Sequence, residues 1–224
     1  TLVGPLITTA WDQTYPYNYY CPSASGGSGN HVFTGCVATA MAQVIKYHNA
    51  PVHGIGSHSY IHATYGPQSA NFNETNYAWS NMPTQIGPNS PQTQINAVAM
   101  LMYHCGVSVD MNYGTDGSGA SSLKIAPALK SYFNFSQSTT HVERSDYSDS
   151  NWIALMRTEL NASRPVIYNG SNTTGHSFVC DGYDSGTYGN YYFHFNWGWS
   201  GSYDGYFSID DMTPGGNGAG SGGH

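Results

Sequence analysis

Helix-like periodicity early in the chain gives way to strand-like runs in the last third, and this order constrains the fold most strongly. From Val37 to His48, and again from Gln92 to His104, apolar residues recur three and four positions apart, as on the buried face of a helix. Gly106 is the predicted stop of the second helix. Four later runs are rich in β-branched and aromatic residues and predict strands: Val166–Asn169, Ser177–Gly182, Tyr191–Trp197 and Gly205–Ile209. Helices followed by antiparallel strands predict an α+β fold.

The same change of pattern predicts two lobes within one domain. A chain of 224 residues can form one sizeable core or two small lobes. We expect a single domain over 1–224, with a helical lobe over about 1–113 and a β-rich lobe over 114–224. Residues 50–90, crowded with Pro, Gly, Asn and Ser, predict irregular connections with short helical turns. Short helices are expected over 122–132 and 150–160, and the tail from 214 to 224 is Gly-rich.

The charge balance excludes two classes of partner. Six Lys and Arg against 13 Asp and Glu give a net charge of −7, so no basic surface is expected for nucleic acid or an anionic membrane. Charged residues make up 8% of the chain, against roughly 25% in ordinary soluble domains. Polarity comes instead from Ser, Thr, Asn, Gln and Tyr, which favours an exported bacterial protein. No apolar run approaches the roughly 18 residues of a membrane span, and the N-terminus lacks signal-peptide features, so we expect a soluble, mature chain.

Cys36 is the candidate nucleophile, because it lies at the first turn of the best-defined helix, directly after a glycine. A helix N-terminus concentrates unsatisfied N–H groups and partial positive charge, and there a thiol pKa can fall from about 8.5 to between about 3.5 and 7.5. The alternative is a small buried apolar residue, the usual role of a lone cysteine. The other cysteines, Cys21, Cys105 and Cys180, are too widely spaced to indicate a zinc ribbon, and their pairing stays open.

Two later residues complete a candidate catalytic set. His176 follows a glycine at the start of a predicted strand, 140 residues after Cys36, within the roughly 130–150 that papain-like enzymes place between nucleophile and later partners. Asn196 ends the next predicted strand and could accept the imidazole N–H, fixing its tautomer. Trp197 would then lie over the pair and exclude water. Each residue also has an ordinary structural role, but their order Cys, His, Asn favours catalysis.

Five segments carry a family resemblance over nearly the whole chain. They are Thr34–Ala40, Gln43–Asn49, Ser108–Gly114, Gly175–Val179 and Asn196–Trp199. In this order they resemble the streptopain family of secreted bacterial cysteine peptidases, which are made as zymogens. The resemblance implies a papain-like fold, with an active-site cleft between a helical N-terminal lobe and an antiparallel-sheet C-terminal lobe. It also implies hydrolysis of protein substrates through a thioester acyl-enzyme.

The resemblance assigns further roles that the residues alone would not. The segment around Gln13 is similar to the one that carries the oxyanion-hole glutamine, with the Cys36 N–H as second donor. A preference for an apolar residue at the second position before the cut is implied, with Gly175 and Asn169 as candidate substrate-binding residues. The implied partners are protein or peptide substrates, expected to be host proteins, and an inhibitory N-terminal propeptide. We expect a secreted enzyme with no cofactor and no metal.

The sequence alone leaves open two functions other than peptide hydrolysis. A non-catalytic surface adhesin, or a cysteine-dependent amide transferase or deamidase, could share the same fold. His58 and His62 have the spacing of a helical zinc pair but lack the Glu that follows the first His in metallopeptidases, so we expect a chance pair on a loop.

Overall fold

The computed structural model of the chain describes residues 1–171, 175–210 and 212–214. Its contacts divide into two compact units: a helical unit, Trp11–His141, and a sheet unit, Thr1–Ala10 with the residues from Val142 onward. This division differs from the lobe boundary predicted near residue 113. Residues 114–141 lie with the helical unit, where Asn112 and Gly119 exchange two backbone hydrogen bonds of 2.8 and 3.1 Å. The single catalytic domain stays a prediction.

The helical unit is built around two buried helices that pack on each other. Nine consecutive residues of the first, Val37 to Ile45, are buried, so this helix is enclosed on all sides rather than on one face. The elements of the unit are β2 (Ser23–Ser28), α1 (Cys36–His48), β3 (Ser57–His62), β4 (Gly66–Asn71), α2 (Gln92–Ser108) and α3 (Ile125–Tyr132). The predicted first helix is confirmed, and Asn49 ends it in the left-handed conformation.

Two predictions for this unit are wrong. Helix α2 does not stop at Gly106 but runs to Ser108, and at Gly106 within it a Cβ atom would clash with the Tyr113 hydroxyl oxygen. Residues 50–90 are not wholly irregular, since β3 and β4 pair as an antiparallel hairpin with Ser57 opposite Asn71. The hairpin escaped prediction because its inward side chains, such as His58 and Tyr60, are polar rather than aliphatic.

The sheet unit is an antiparallel sheet with one helix packed on it. Its elements are β1 (Leu2–Val3), α4 (Asp149–Asn161), β5 (Val166–Ser171), β6 (Gly175–Asp184), β7 (Tyr192–Asn196) and β8 (Gly205–Ser208). Strand β6 pairs with β1, β5 and β7, and β7 pairs with β8. The four strands predicted after residue 165 are therefore confirmed, and so is the α+β class.

Aromatic and aliphatic side chains from α4 and the strands form the core of the sheet unit. Fully enclosed members include Leu160, Phe193, Phe195 and Trp197. Ser148 caps α4 by accepting a hydrogen bond from the Asn151 N–H at 3.3 Å. Among the described residues, no helix is both long and apolar enough to cross a bilayer. Beyond Pro214, the Gly-rich tail lies outside the described residues.

Candidate active site

Cys36 is the first residue of α1, and the glycine before it determines how the chain enters the helix. Gly35 has φ 91° and ψ 143°, a conformation that side-chain-bearing residues rarely adopt. A Cβ atom at this position would lie 2.7 Å from the Met111 sulfur and 3.1 Å from the Ser118 carbonyl oxygen. The Gly-Cys pair therefore meets a backbone requirement as well as a chemical one.

Hydrogen bonds hold the residues that precede Cys36. Phe33 donates from its N–H to the Gly114 carbonyl at 3.2 Å, and its own carbonyl accepts from the Ser118 hydroxyl at 2.7 Å. The Thr39 hydroxyl, one turn into α1, lies 3.1 Å from the Gly35 carbonyl oxygen, to which it donates. The helix start, with its unsatisfied N–H groups, is thus held by the loop at 114–118 as well as by the helix itself.

Cys36 differs from the other three cysteines in its exposure. It is partly exposed, whereas Cys21, Cys105 and Cys180 are buried and carry thiols that are not joined in disulfide bonds. Burial raises the pKa of Cys21 to about 12, and it raises the pKa of Cys105 and Cys180 well above the ordinary value. Those three thiols are accordingly poor nucleophiles at neutral pH.

The segment that carries Gln13 is attached to α1 and to the residues before it. The Gln13 carbonyl accepts the Thr34 N–H at 3.1 Å, two residues before Cys36. The Trp11 N–H donates to Oε1 of Gln43, a buried residue of α1, at 3.3 Å. Trp11 is itself fully buried and donates from its indole N–H to the Pro83 carbonyl at 3.0 Å. The helical unit therefore fixes the Gln13 backbone relative to Cys36, although its role in an oxyanion hole stays a prediction.

His176 is the second residue of β6 and its ring is buried. Nε2 lies 2.8 Å from the Trp197 carbonyl oxygen. Because a carbonyl oxygen only accepts, Nε2 must carry the ring proton, and Nδ1 is then the nitrogen that can take one up. Burial lowers the pKa of His176 below its usual value, against a smaller raising effect of the Trp197 carbonyl. The lowered pKa favours the neutral imidazole, which is the form that acts as a base.

Aromatic rings enclose this imidazole. Trp199 is the nearest, stacked at 4.8 Å between ring centroids, followed by Phe178 at 5.7 Å and Trp197 at 6.4 Å. Sequence reasoning selected Trp197 as the shielding indole and passed over Trp199, although both belong to the same short motif. The motif does not show which of the two indoles lies nearer to His176, because this depends on the turn that the chain makes at Gly198, with φ 71°.

Asn196 ends β7, and its side chain forms hydrogen bonds with backbone groups. Its Oδ1 accepts the Gly198 N–H at 3.0 Å, and its amide donates to the Thr9 carbonyl at 2.8 Å. The carbonyl of the Trp197–Gly198 peptide thus accepts a hydrogen bond from His176, and the N–H of the same peptide donates one to Asn196. The structure shows the Trp197 carbonyl in contact with Nε2, and the orienting role of the Asn196 side chain stays a prediction.

The two candidate substrate-binding residues lie beside His176 in the sheet. Asn169 pairs with Ser177 across β5 and β6, and its Oδ1 accepts from the Ser177 hydroxyl at 2.6 Å. Gly175 is exposed, and a Cβ atom added to it would meet no atom of the described residues within 4 Å. The part of Gly175 in substrate binding stays a prediction.

The two histidines set aside in the sequence lie on strand β3 rather than on a loop, and each contacts the segment after α2. His58 Nε2 lies 2.7 Å from Oδ1 of Asp110, and His62 Nε2 lies 3.0 Å from Oδ1 of Asn112. Within the described ranges, no group of three or more His, Cys, Asp or Glu side chains could hold a metal ion. These contacts attach the hairpin to the segment that carries Met111.

Comparisons with known proteins show which family the sequence matches. Residues 11–207 match the sequence model of the peptidase C10 family. Streptopain of Streptococcus pyogenes is 38% identical over 231 residues, which cover 95% of this chain and 57% of streptopain. The chain thus spans little more than half the length of that relative.

Two solved structures are similar to this chain along most of its length. The active wild-type interpain A cysteine protease of Prevotella intermedia superposes with a TM-score of 0.90 at 38% identity, covering 99% of this chain and 92% of that one. A prointerpain A fragment from the same organism gives a TM-score of 0.84 at 40% identity, covering 93% of this chain and 65% of that one. The papain-like fold predicted from the sequence is confirmed by the likeness to interpain A.

Proposed function

The chain belongs to the peptidase C10 family, the streptopain family of cysteine peptidases, and from that premise we propose that it is a secreted bacterial endopeptidase that hydrolyses proteins through a thioester acyl-enzyme. The observation that carries the proposal is the setting of Cys36. It is the one partly exposed cysteine, and it begins a buried helix whose first N–H groups favour a thiolate. The active cysteine protease interpain A supports the same reading.

Acylation would begin with a proton transfer from the Cys36 sulfur to Nδ1 of His176. The thiolate then adds to the substrate carbonyl carbon, forming the C–S bond while the carbonyl π electrons move to oxygen. The Gln13 side-chain amide and the Cys36 backbone N–H would donate to that oxyanion. Collapse of the intermediate breaks the C–N bond, and the imidazolium of His176 protonates the leaving amine.

Deacylation would use the same imidazole on a water molecule. Nδ1 takes a proton from the water as its oxygen adds to the thioester carbon. Collapse of the second oxyanion breaks the C–S bond, releases the carboxylic acid and returns the sulfur to Cys36 as a thiolate, which the imidazolium of His176 can reprotonate. Each turnover therefore consumes one water and one peptide bond, and these steps need neither metal nor cofactor.

The remaining site residues would hold this imidazole in position. Asn196 would orient it through the Trp197–Gly198 peptide, and the Trp197 and Trp199 rings would keep water from the imidazole. We further propose that Gly175 and Asn169 contribute to a subsite for an apolar residue at the second position before the cut. Asn169 lies opposite Ser177 and Gly175 lies opposite Ser171, on the two sides of the Gly170–His176 pair, and this closeness to His176 supports the assignment.

The partners proposed for the chain follow from the family. Protein substrates, including host proteins, would be the targets of a secreted peptidase. An N-terminal propeptide would inhibit the precursor. The prointerpain A fragment, only 65% of which matches this chain, supports a precursor of that kind.

Digestion of casein tests the proposal. Wild type should release peptides whose new termini can be sequenced, whereas Cys36→Ala should lose at least about 10⁴-fold of the rate. Cys105→Ala is the matched control, because it removes a fully buried thiol within α2 and should retain activity. Altered side chains without new termini would indicate a deamidase or amide transferase. Equal products from wild type and Cys36→Ala would contradict a cysteine mechanism.

A further inference from the structure

A carboxylate that the proposed mechanism does not use lies directly behind the hydrogen-bond partner of His176. Oδ1 of Asp204 accepts the Trp197 backbone N–H at 2.9 Å. The adjacent Tyr203 carbonyl accepts the Trp197 indole N–H at 3.0 Å. Residues 203 and 204 therefore hold Trp197 at both its backbone and its ring, and Trp197 is fully buried.

The position of Trp197 determines the orientation of the imidazole. Its carbonyl oxygen accepts from His176 Nε2 at 2.8 Å, so a shift of the Trp197 backbone would turn or release the His176 ring. The carboxylate of Asp204 accepts from the N–H of Trp197, which belongs to the peptide group directly before the one that carries the Trp197 carbonyl. Without an acceptor at Asp204, a buried N–H would be left unsatisfied and the backbone would move to find another.

The surroundings of Asp204 disfavour the charge that it carries. Burial and the nearby Asp181 raise the pKa of Asp204 to about 6, while the Trp197 N–H and His194 act in the opposite direction. Asp181 is fully buried and accepts from His194 Nδ1 at 2.6 Å and from the Ile7 N–H at 3.2 Å. A perturbed carboxyl group in contact with the site backbone is more typical of functional positions than of surface ones.

We propose that Asp204 is a positioning residue of the peptidase site: by fixing the Trp197 backbone, it holds the His176 imidazole in the orientation from which Nδ1 exchanges protons. The inference rests on the proposed function. It does not make Asp204 a catalytic residue, because the carboxylate contacts neither substrate nor the reacting atoms.

Three variants of the full chain test it by steady-state kinetics on a peptide substrate. Asp204→Ala removes the acceptor, and kcat should fall about 100-fold with KM within twofold of wild type, because a small displacement of a reacting group costs that much. Asp204→Asn keeps an oxygen acceptor at the same distance and should restore kcat to within about threefold. Asp210→Ala is the matched control, since it removes an exposed carboxylate six residues further along and should behave as wild type.

The outcomes separate this inference from the proposed function. If Cys36→Ala is inactive while folded Asp204→Ala has the kcat of wild type, the positioning role is wrong and the peptidase assignment stands. If Cys36→Ala is fully active, the peptidase assignment itself is wrong. Should Asp204→Ala not fold, Asp204→Glu decides the question: moving the carboxylate by one methylene should lower kcat at unchanged KM, and a kcat equal to that of wild type would overturn the inference.

Discussion

The Nε2 atom of His176 lies 2.8 Å from the carbonyl oxygen of Trp197, and this hydrogen bond organises the sheet unit's part of the site. It assigns the ring proton to Nε2 and leaves Nδ1 as the basic nitrogen. It also explains the place of Asn196, which holds the other end of the same peptide group. The imidazole is therefore oriented by backbone that side chains keep in place.

Removal of the nearest ring should alter the pH dependence of catalysis. Burial lowers the pKa of His176, so the neutral base persists below the usual range, and activity is lost only when the pH falls through that lowered value. Trp199→Ala exposes the ring and should raise the His176 pKa, moving the acid limb of kcat/KM to higher pH. Trp199→Phe, which retains an aromatic ring, should move it less. An unchanged acid limb in Trp199→Ala would mean that another group sets it.

Gln13→Ala should lower kcat about 10²- to 10³-fold, because one donor to the oxyanion is lost. KM should change little, since the donor acts mainly on charge that develops in the transition state. Gln92→Ala, at an exposed position of α2, is the matched control. A Gln13→Ala enzyme with the kcat of wild type would remove this residue from the proposed oxyanion hole.

Gly35→Ala should lower the free energy of unfolding by about 1–3 kcal/mol, because alanine at φ 91° is strained. The new methyl group would also press on the Met111 side chain. Gly87→Ala is the comparison, since an added Cβ there meets no atom within 4 Å in the part of the chain that the structure describes. Urea denaturation measures both, and equal stabilities for the two variants would contradict the strain assigned to Gly35.

His104 should make the helical unit sensitive to acid. Burial lowers its pKa to about 4, and Nδ1 lies 2.9 Å from the Tyr77 hydroxyl oxygen. The folded state binds this proton less readily than the unfolded state. The contribution of neutral His104 to the free energy of unfolding is therefore complete above pH 6.5 and is lost as the pH falls from there towards 4.

Comparison of wild type with His104→Asn isolates this effect. Between pH 7 and pH 4.5, the free energy of unfolding of wild type should fall by about 2 kcal/mol more than that of His104→Asn. The raised pKa of Asp204 acts in the opposite direction in both proteins and cancels in the difference. A difference that does not depend on pH would show that His104 is not the titrating group.

Much of the fold could be predicted because apolar periodicity reports burial. It located α1 and the four late strands, and glycine before cysteine marked the helix start where the structure requires a positive φ. The β3–β4 hairpin could not be found in this way, since the inward residues of β3 are His and Tyr. Nor could the continuation of α2 through Gly106, where the missing side chain makes room for Tyr113.

The candidate site was predictable only as far as side-chain chemistry identifies it. Cysteine, histidine and asparagine in order indicated candidate residues, whereas the Trp197 carbonyl that His176 contacts is a backbone group, and any residue carries one. The contacts of Trp199 and Asp204 depend on how the chain turns between β7 and β8. Gln13 came from family resemblance alone, since the bonds that hold its backbone join residues far apart in sequence.

The most direct test of the central claim is the rate at which iodoacetamide alkylates Cys36, mapped by peptide mass at pH 6.5. The other thiols are buried, with raised pKa values, and should react slowly in the native protein. If His176 activates Cys36, His176→Ala should lower the rate at least about 100-fold, while His53→Ala, at an exposed histidine, leaves it unchanged. Equal rates in wild type and His176→Ala would contradict the pairing on which the proposed peptidase rests.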